Sequence, residues 1–598
     1  MSKENKSENS KCSNYNYVVK LFVSLLILAS VYFMLPIFNY GRSFNHIFIL
    51  FLLFTIYLLV NWVFYNYKKK IFIYSGVISF FLAICLVVGE ELILYSQTFY
   101  SVNTTIKIVL MIVVIICPLY FIFFQLCTLS LERTVNREGV FARTFFVCEI
   151  TLLFGWGILL LLYYPGIFSY DSQFQVVELY GSQGLSTQHP LIHTFILNMI
   201  FIIGDAAGNI QFGAFSVTIF QMIVCSIIVS YSCASMAKEG FSKKWLLLLI
   251  GYYAFFPICS IFPIVATKDV LFSFLFMLVV TSLMKWQTRK DIWKLNRTYI
   301  ELFTLFFITG LFRYNFVYAI LIASVIMLII LTMIGKKKIR NFLLLTCLLF
   351  AVSISCFNDI LINMTSAETR LQGEALSVPL QQLARTFKKK PEVFSSEEKK
   401  LLTSFVPDEN LAQYNPRISD PIKSKYSSTS GLGNLIVLWA RIGAKAPKEY
   451  IDAFLMNTQP YWDPNFQYPD QYYKSPPIEM YTRSPQIDRD IYREESMFPN
   501  FANSYRDAIV NAELFKKIPL FSLFFNSGFV IWLIVLMLFS NIFKGRCKFI
   551  PVFLLIFSYL LTLIMGPVMI VRYALPFFLV WPVLAMYTVH KDSYVKKV

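Results

Sequence analysis

Residues 190–204 read PLIHTFILNMIFIIG, and whether this stretch crosses a membrane decides the topology of the whole chain. As a helix it is about 22 Å long, short of the ~30 Å hydrocarbon core of a bilayer. It opens on Pro190, a residue favoured in the first turn of a helix. The charges on either side bear on the same question, because cytoplasmic loops of membrane proteins collect Lys and Arg. Basic residues stand at Lys68-Lys69-Lys70, at Arg133 and Arg137, and at Lys238, Lys243 and Lys244. They recur in KWQTRKDIWKLNR (285–297), KKKIR (336–340), KGRCK (544–548) and the C-terminal HKDSYVKKV. All of these fall on one face only if 190–204 does not cross. The segment is then a surface helix lying along or dipping into the outer face. It belongs to an external loop, 165–210, that contains no Lys or Arg.

Fourteen other apolar windows remain, from 18–38 to 574–590. Of the 598 residues, 57% are hydrophobic and 15% charged, which excludes a soluble globular protein. Phe (60) and Tyr (35) suit lipid-facing and interfacial positions. The net charge of +18 is accounted for by the inner loops, so no nucleic-acid partner is expected. The expected fold is an all-α polytopic membrane protein with about 14 transmembrane helices and an external soluble insert of mixed structure. Its parts are a cytoplasmic N-terminus with four spans (1–143), a membrane core (144–357), the insert (358–518), and C-terminal spans with a cytoplasmic tail (519–598). The first span lacks a small-residue cleavage site and reads as uncleaved. The insert has no cysteine, so no disulfide scaffold supports it. Both termini are expected inside a multi-pass cell-membrane protein.

The outer face then gathers unusual chemistry. Asp171 follows a span end in YYPGIFSYDSQFQ (163–175), with Gln175 close behind. His189 and His193 flank 190–192, four apart. That spacing serves metals, but no HExxH motif and no carboxylate accompanies it, so no cofactor is expected and a divalent metal has no support. Lys268 and Asp269 stand at the lip of a span. Arg313-Tyr314 and Arg572-Tyr573 stand at two more outer span ends, where arginine is disfavoured. Arg572 follows MGPVMIV (565–571), a Gly-Pro interruption that lets its span end irregularly. A carboxylate can take the proton of an attacking hydroxyl. Forked guanidinium donors hold phosphate. Together they suit a phosphate-bearing lipid substrate.

The stretches YYPGIFSYDSQFQ, TQHPLIHTF (187–195), PIVATKDVLFSF (263–274) and LFRYN (311–315) resemble the GT-C superfamily of membrane glycosyltransferases, closest to a Firmicute branch of it. The resemblance covers about 145–320 by motif and the rest by hydropathy. It implies a polyprenyl-phosphate sugar donor and a catalytic acidic residue in the first large external loop, matching Asp171. A further acidic residue in a later external loop matches Asp269. The acceptor implied is a cell-wall or surface glycan. His189, Gln175, Lys268, Arg313, Tyr314, Arg572 and Tyr573 are the expected substrate contacts. The chain departs from the pattern in its four extra N-terminal spans, in the position of its insert, and in carrying a single Asp at the first site. A lipid-linked oligosaccharide flippase or polysaccharide transporter, and a glycan polymerase or ligase, are the alternative readings.

Overall fold

The computed structural model describes residues 4–34, 46–99, 103–134, 138–168, 170–180, 184–288, 296–368, 376–427, 430–466, 498–505, 507, 521–566 and 568–595. Arg137, the middle of the 285–297 basic loop and the Pro/Tyr-rich stretch after Phe466 lie outside them. The chain is helical nearly throughout. Among the described residues eleven helices are long and apolar enough to cross a membrane. The count is twelve if Lys243–Phe255 and Pro257–Ile264, bent by 62°, make one span. Leu191–Ala207, Tyr299–Phe312 and Ser527–Phe543 are apolar but shorter. The protein is a polytopic helical membrane protein.

Four N-terminal helices come first: α1 (Glu4–Met34), α2 (His46–Tyr65), α3 (Lys69–Tyr95) and α4 (Thr104–Thr128). A short strand β1 (Leu131–Thr134) leads to α5 (Val140–Leu162), β2 (Ile167–Phe168) and α6 (Tyr170–Tyr180). Helix α7 (Leu191–Ala207) turns back at Gly208 and packs along the first part of α8 (Ile210–Lys238). The two backbones approach closely because Gly204 and Gly213 face each other. A Cβ on Gly204 would lie 2.8 Å from the Gly213 Cα. Next come α9 (Lys243–Phe255), α10 (Pro257–Ile261), β3 (Val265–Ala266), α11 (Lys268–Thr288), α12 (Asn296–Phe312), α13 (Tyr314–Met333) and α14 (Lys337–Thr365).

The insert's described residues form α15 (Ser377–Lys389), α16 (Ser396–Phe405), α17 (Asp408–Ala412), α18 (Asp420–Lys423), α19 (Leu432–Lys445) and α20 (Pro447–Trp462), followed by α21 (Pro499–Tyr505). The chain closes with α22 (Ser527–Phe543), α23 (Ile550–Ile564), α24 (Val571–Val589) and β4 (His590–Val595).

Two expectations about the insert change. It was read as mixed, but its described residues are helical and their β-pairing is limited to isolated bridges. It was read from 358, but α14 runs on to Thr365: Asn358 and Asp359 do not break it, and the helix ends where Ser366 turns left-handed. The insert has its own core, with Leu380, Leu383 and Ala384 packed among Leu402, Phe405, Leu435, Leu438 and Ile442. A larger core joins α5, α8–α11, α13 and α22–α24 around Trp156, Phe272, Phe276, Tyr559 and Phe577.

The two ends of this bundle differ in chemistry. At one end β1 pairs in parallel with β4. There Arg133 meets Glu239 at 3.1 Å, stacked over Phe241 and Tyr587. Lys544 donates to the carbonyls of Thr588 (2.7 Å) and Leu129 (3.0 Å), and Arg546 to that of Tyr587 (3.1 Å). The loops after α4, α8, α22 and α24 therefore meet at one end. Asp171, His189, Lys268, Asp269, Arg313 and Arg572 meet at the other. Fifteen residues of α24 separate Arg572 from Tyr587, about 22 Å of helix.

Candidate functional site

A pair of two-residue strands builds the site. Strand β2 pairs in parallel with β3, Ile167 with Val265 and Phe168 with Ala266. Three residues beyond each partner stands an aspartate: Asp171 in the first turn of α6, Asp269 in the first turn of α11. This pairing, across nearly a hundred residues of chain, sets the two helix starts side by side. The turn before β2 needs Gly166. Its φ is +116°, and a Cβ there would lie 2.2 Å from the Thr218 hydroxyl on α8. The turn around β3 is held by Gln221 of α8, which donates to the carbonyls of Pro263 (3.0 Å) and Val265 (2.7 Å) and accepts from the Thr267 amide (3.2 Å). Thr267 in turn accepts from the Asp269 amide at 3.1 Å, capping α11.

On this frame the charged side chains interlock. Lys268 Nζ lies 2.8 Å from Asp171 Oδ2, and Arg572 Nη2 lies 3.4 Å from the same oxygen. Arg572 Nε pairs with Asp269 Oδ2 at 3.3 Å, while Arg313 Nη1 is bonded to Asp269 Oδ1. Tyr573 lies beneath both guanidiniums, its ring centroid 4.5 Å from Arg313 and 5.2 Å from Arg572. Asp269 is fully buried. Asp171 and Lys268 form the accessible edge, their side chains 17% and 14% exposed. Burial by itself would raise the Asp171 carboxyl. The charges of Arg572, Lys268 and their neighbours outweigh it and hold the group well below the usual carboxylate range.

Lys268 also donates to His189 Nδ1 at 2.8 Å. An ammonium can only donate, so Nδ1 accepts and a neutral ring carries its proton on Nε2. Burial, aided by the adjacent ammonium, holds His189 down to about 3, which keeps it neutral. Nε2 is buried and has no hydrogen-bond partner among the described residues.

Asp171, His189, Lys268, Asp269, Arg313, Arg572 and Tyr573 are thus brought together. Gln175 is not part of this network. Its amide donates to Thr194 (2.8 Å), its carbonyl oxygen meets His193 Nδ1 (3.1 Å), and Asn198 donates to its backbone (2.7 Å), so it ties α6 to α7. Tyr314 takes no part in the ion-pair network. Among the described residues no group of His, Cys, Asp and Glu could hold a metal ion. Sequence reasoning passed over Gln221 and Thr267, which position the β3 turn; a lone glutamine inside an apolar span was the available signal.

Five helices, α6, α7, α11, α13 and α24, begin at this cluster. Helix N-termini carry partial positive charge and favour anions. Among the described residues, the three cations placed there, Lys268, Arg313 and Arg572, oppose that preference and pair with two carboxylates, Asp171 and Asp269. The assembly is a cluster of cations and carboxylates gathered at helix starts.

No curated protein and no solved structure matches the chain. A family model does match; its segment takes in His189, Lys268, Asp269, Arg313 and Arg572 and begins after Asp171. Matching that model over residues 181–597, the chain belongs to a family of unknown function, DUF6020.

Proposed function

We propose that this recess takes the phosphate of a polyprenyl-phosphate sugar and that the protein transfers the sugar to an extracytoplasmic glycan acceptor. The observation that carries the reading is the gathering, among the described residues, of three cations, two carboxylates and five helix N-termini at one end of a lipid-immersed bundle. An anionic headgroup entering from the bilayer reaches those cations without leaving the membrane plane. The acceptor hydroxyl oxygen attacks the anomeric carbon. Its proton passes to the Asp171 carboxylate. The bond from carbon to phosphate oxygen breaks, and its electron pair stays with the phosphate, stabilised by Arg572 and Lys268. In the free protein those cations hold Asp171 a poor base. A phosphate that draws them away restores its basicity at the moment it is needed. Asp269, fully buried between Arg313 and Arg572, acts in this scheme by fixing the two guanidiniums rather than by touching substrate. The buried His189 Nε2 proton, without a hydrogen-bond partner among the described residues, would meet a substrate oxygen only once substrate opens the cluster.

Topology fits the same reading. Counting the bent pair, Tyr299–Phe312 and Ser527–Phe543 as spans gives the fourteen expected, with α7 left at the outer face and both termini inside. The opposite end gathers Arg133, Lys544 and Arg546, as an inner face should. A flippase would carry its polar groups across the bilayer, whereas this network stays at one end. The test is mass spectrometry of cell-envelope glycans from cells with the gene, without it, and with Asp171→Asn. Loss of one glycan residue in the last two supports transfer. An unchanged glycan profile in the deletion refutes it.

A further inference from the structure

The insert is not an appendage to the recess. It grips the chain just before two of the residues that form it. Ahead of His189, the Thr187 amide donates to the Glu368 carbonyl and the Glu368 amide to the Leu185 carbonyl, both at 2.9 Å, where the chain leaves α14 for the insert. Ahead of Arg572, the insert's Ile418 forms an antiparallel bridge with Val568. Ile418, Val568 and Ile570 make a buried apolar cluster against Tyr573, the ring beneath both guanidiniums. Asn457 of α20 reaches the Gly566 carbonyl at 3.4 Å. The Ile418 turn is itself fixed, because neighbouring Arg417 donates to the Met456 carbonyl at 2.7 Å and stacks over Phe466.

The insert is in turn anchored to the N-terminal helices. Gln459 donates to the Gly89 carbonyl of α3 at 2.8 Å and to Asp463 at 2.7 Å. Asp463 fills a notch that only glycines permit: a Cβ on Gly89 would lie 2.2 Å from its carboxylate, and one on Gly528 of α22 2.4 Å from its carbonyl oxygen. Asp452 accepts from the amide and hydroxyl of Thr98 beyond α3, at 3.0 and 2.6 Å. An unbroken line of contacts runs from α3 through α20 and the Ile418 turn to Arg572.

We infer that Ile418 is a positioning residue for the recess: with the N-terminal helices as its brace, the insert sets where Arg572 and Tyr573 stand. The part of this inference that concerns ligand affinity rests on the phosphate reading above; the part that concerns the segment 566–573 does not. Residues 568–570 form no helix, and among the described residues the Ile418 bridge is the regular backbone pairing that Val568 makes. The same architecture explains why a chain with four extra spans would carry them, since they give the insert a fixed seat.

The experiment uses full-length protein in nanodiscs with Ile418→Asp, Ile418→Val and Arg572→Ala, and farnesyl phosphate as the probe. Ile418→Asp is expected to weaken binding on the order of tenfold or more, and to add little when combined with Arg572→Ala, because both remove the same contact. Ile418→Val should bind as wild type. Hydrogen exchange supplies a ligand-free readout: in Ile418→Asp the amides of 566–573 should exchange faster while α16 and α19 stay protected. Unchanged exchange at 566–573 with the insert core intact overturns the positioning role. Loss of protection throughout the insert does so too, since the residue would then serve the insert's own fold. Should wild type fail to bind farnesyl phosphate, the phosphate reading falls, and the exchange result decides the positioning role alone.

Discussion

Cations meet helix α24 at both of its ends, its own Arg572 at the N-terminus and Lys544 and Arg546 from the loop after α22 at the C-terminus, and the two ends obey opposite rules. At its C-terminus Lys544 and Arg546 donate to the last carbonyls, Thr588 and Tyr587. There positive charge meets the negative pole of the helix, the favourable arrangement. Those cations are structural, and nothing else is needed to explain them. At its N-terminus Arg572 meets a positive pole, with the starts of α6, α7, α11 and α13 gathered around it. Among the described residues two carboxylates restrain the three cations there. The same residue type is a cap at one end and, in the proposed reading, an anion ligand at the other. What separates structure from function in this molecule is the polarity of the backbone around a charge rather than the charge itself.

The comparison breaks most visibly at Asp171. Asp171→Asn should leave expression and insertion normal and cut transfer roughly 100- to 10,000-fold, measured with purified protein and a polyprenyl-phosphate sugar. Turnover within a few-fold of wild type would make Asp171 a restraint on Lys268 and no more. Asp269→Asn tests the other carboxylate. It removes the carboxylate charge from Arg313 and one of the two carboxylates that meet Arg572, and breaking a buried pair in this way costs about 3–5 kcal/mol. The expected outcome is a large fall in thermal stability, which a solvent-exposed aspartate would not produce.

Arg572→Lys and Lys544→Ala set the two ends of α24 against each other. Arg572→Lys keeps the charge but loses the planar fork, so the donor concentration for half-maximal transfer should rise while the melting temperature barely moves. Lys544→Ala should do the reverse, costing about 1 kcal/mol of stability with donor dependence unchanged. If both variants behave alike, the polarity argument fails.

A further effect is in pH. Asp171 has a depressed folded pKa, so its contribution to stability is present above its unfolded value near 4 and is lost only as pH falls further. His189, held at about 3, stays neutral in the fold while its unfolded form gains a proton below about 6.5. Stability should therefore decline as pH drops from about 6.5 toward 3, and His189→Gln should flatten that decline. Melting curves at pH 4.5 and 7.5 read it directly.

Much of this was legible in the sequence, for local reasons. Apolar windows announce membrane-spanning helices, because hydropathy is set by the solvent each short stretch faces. Lys268, Asp269, Arg313 and Arg572 stood out for the same reason: charge at an apolar span end is costly wherever it occurs. What the sequence concealed depends on distant chain. That Asp171 meets Lys268 follows from two residues of β2 pairing with two of β3. That Gln175 serves α7 rather than the recess follows from how α6 lies on its neighbour. The insert was expected from 358 because the apolar window ends at 357, whereas α14 continues to Thr365: hydropathy marks where the apolar run stops, not where the helix does. Ile418 carries no signal of its own; it is one isoleucine among many until it meets Val568.

The central claim is that the recess is built for a lipid-borne phosphate, and competition between two ligands with one tail tests it most directly. Binding of farnesyl phosphate and of farnesol should be measured on the full-length protein in nanodiscs, for wild type and Arg572→Ala. The account predicts that wild type prefers the phosphate by on the order of tenfold or more, and that Arg572→Ala removes most of this preference while leaving farnesol binding as it was. Equal binding of the two ligands to wild type would contradict it.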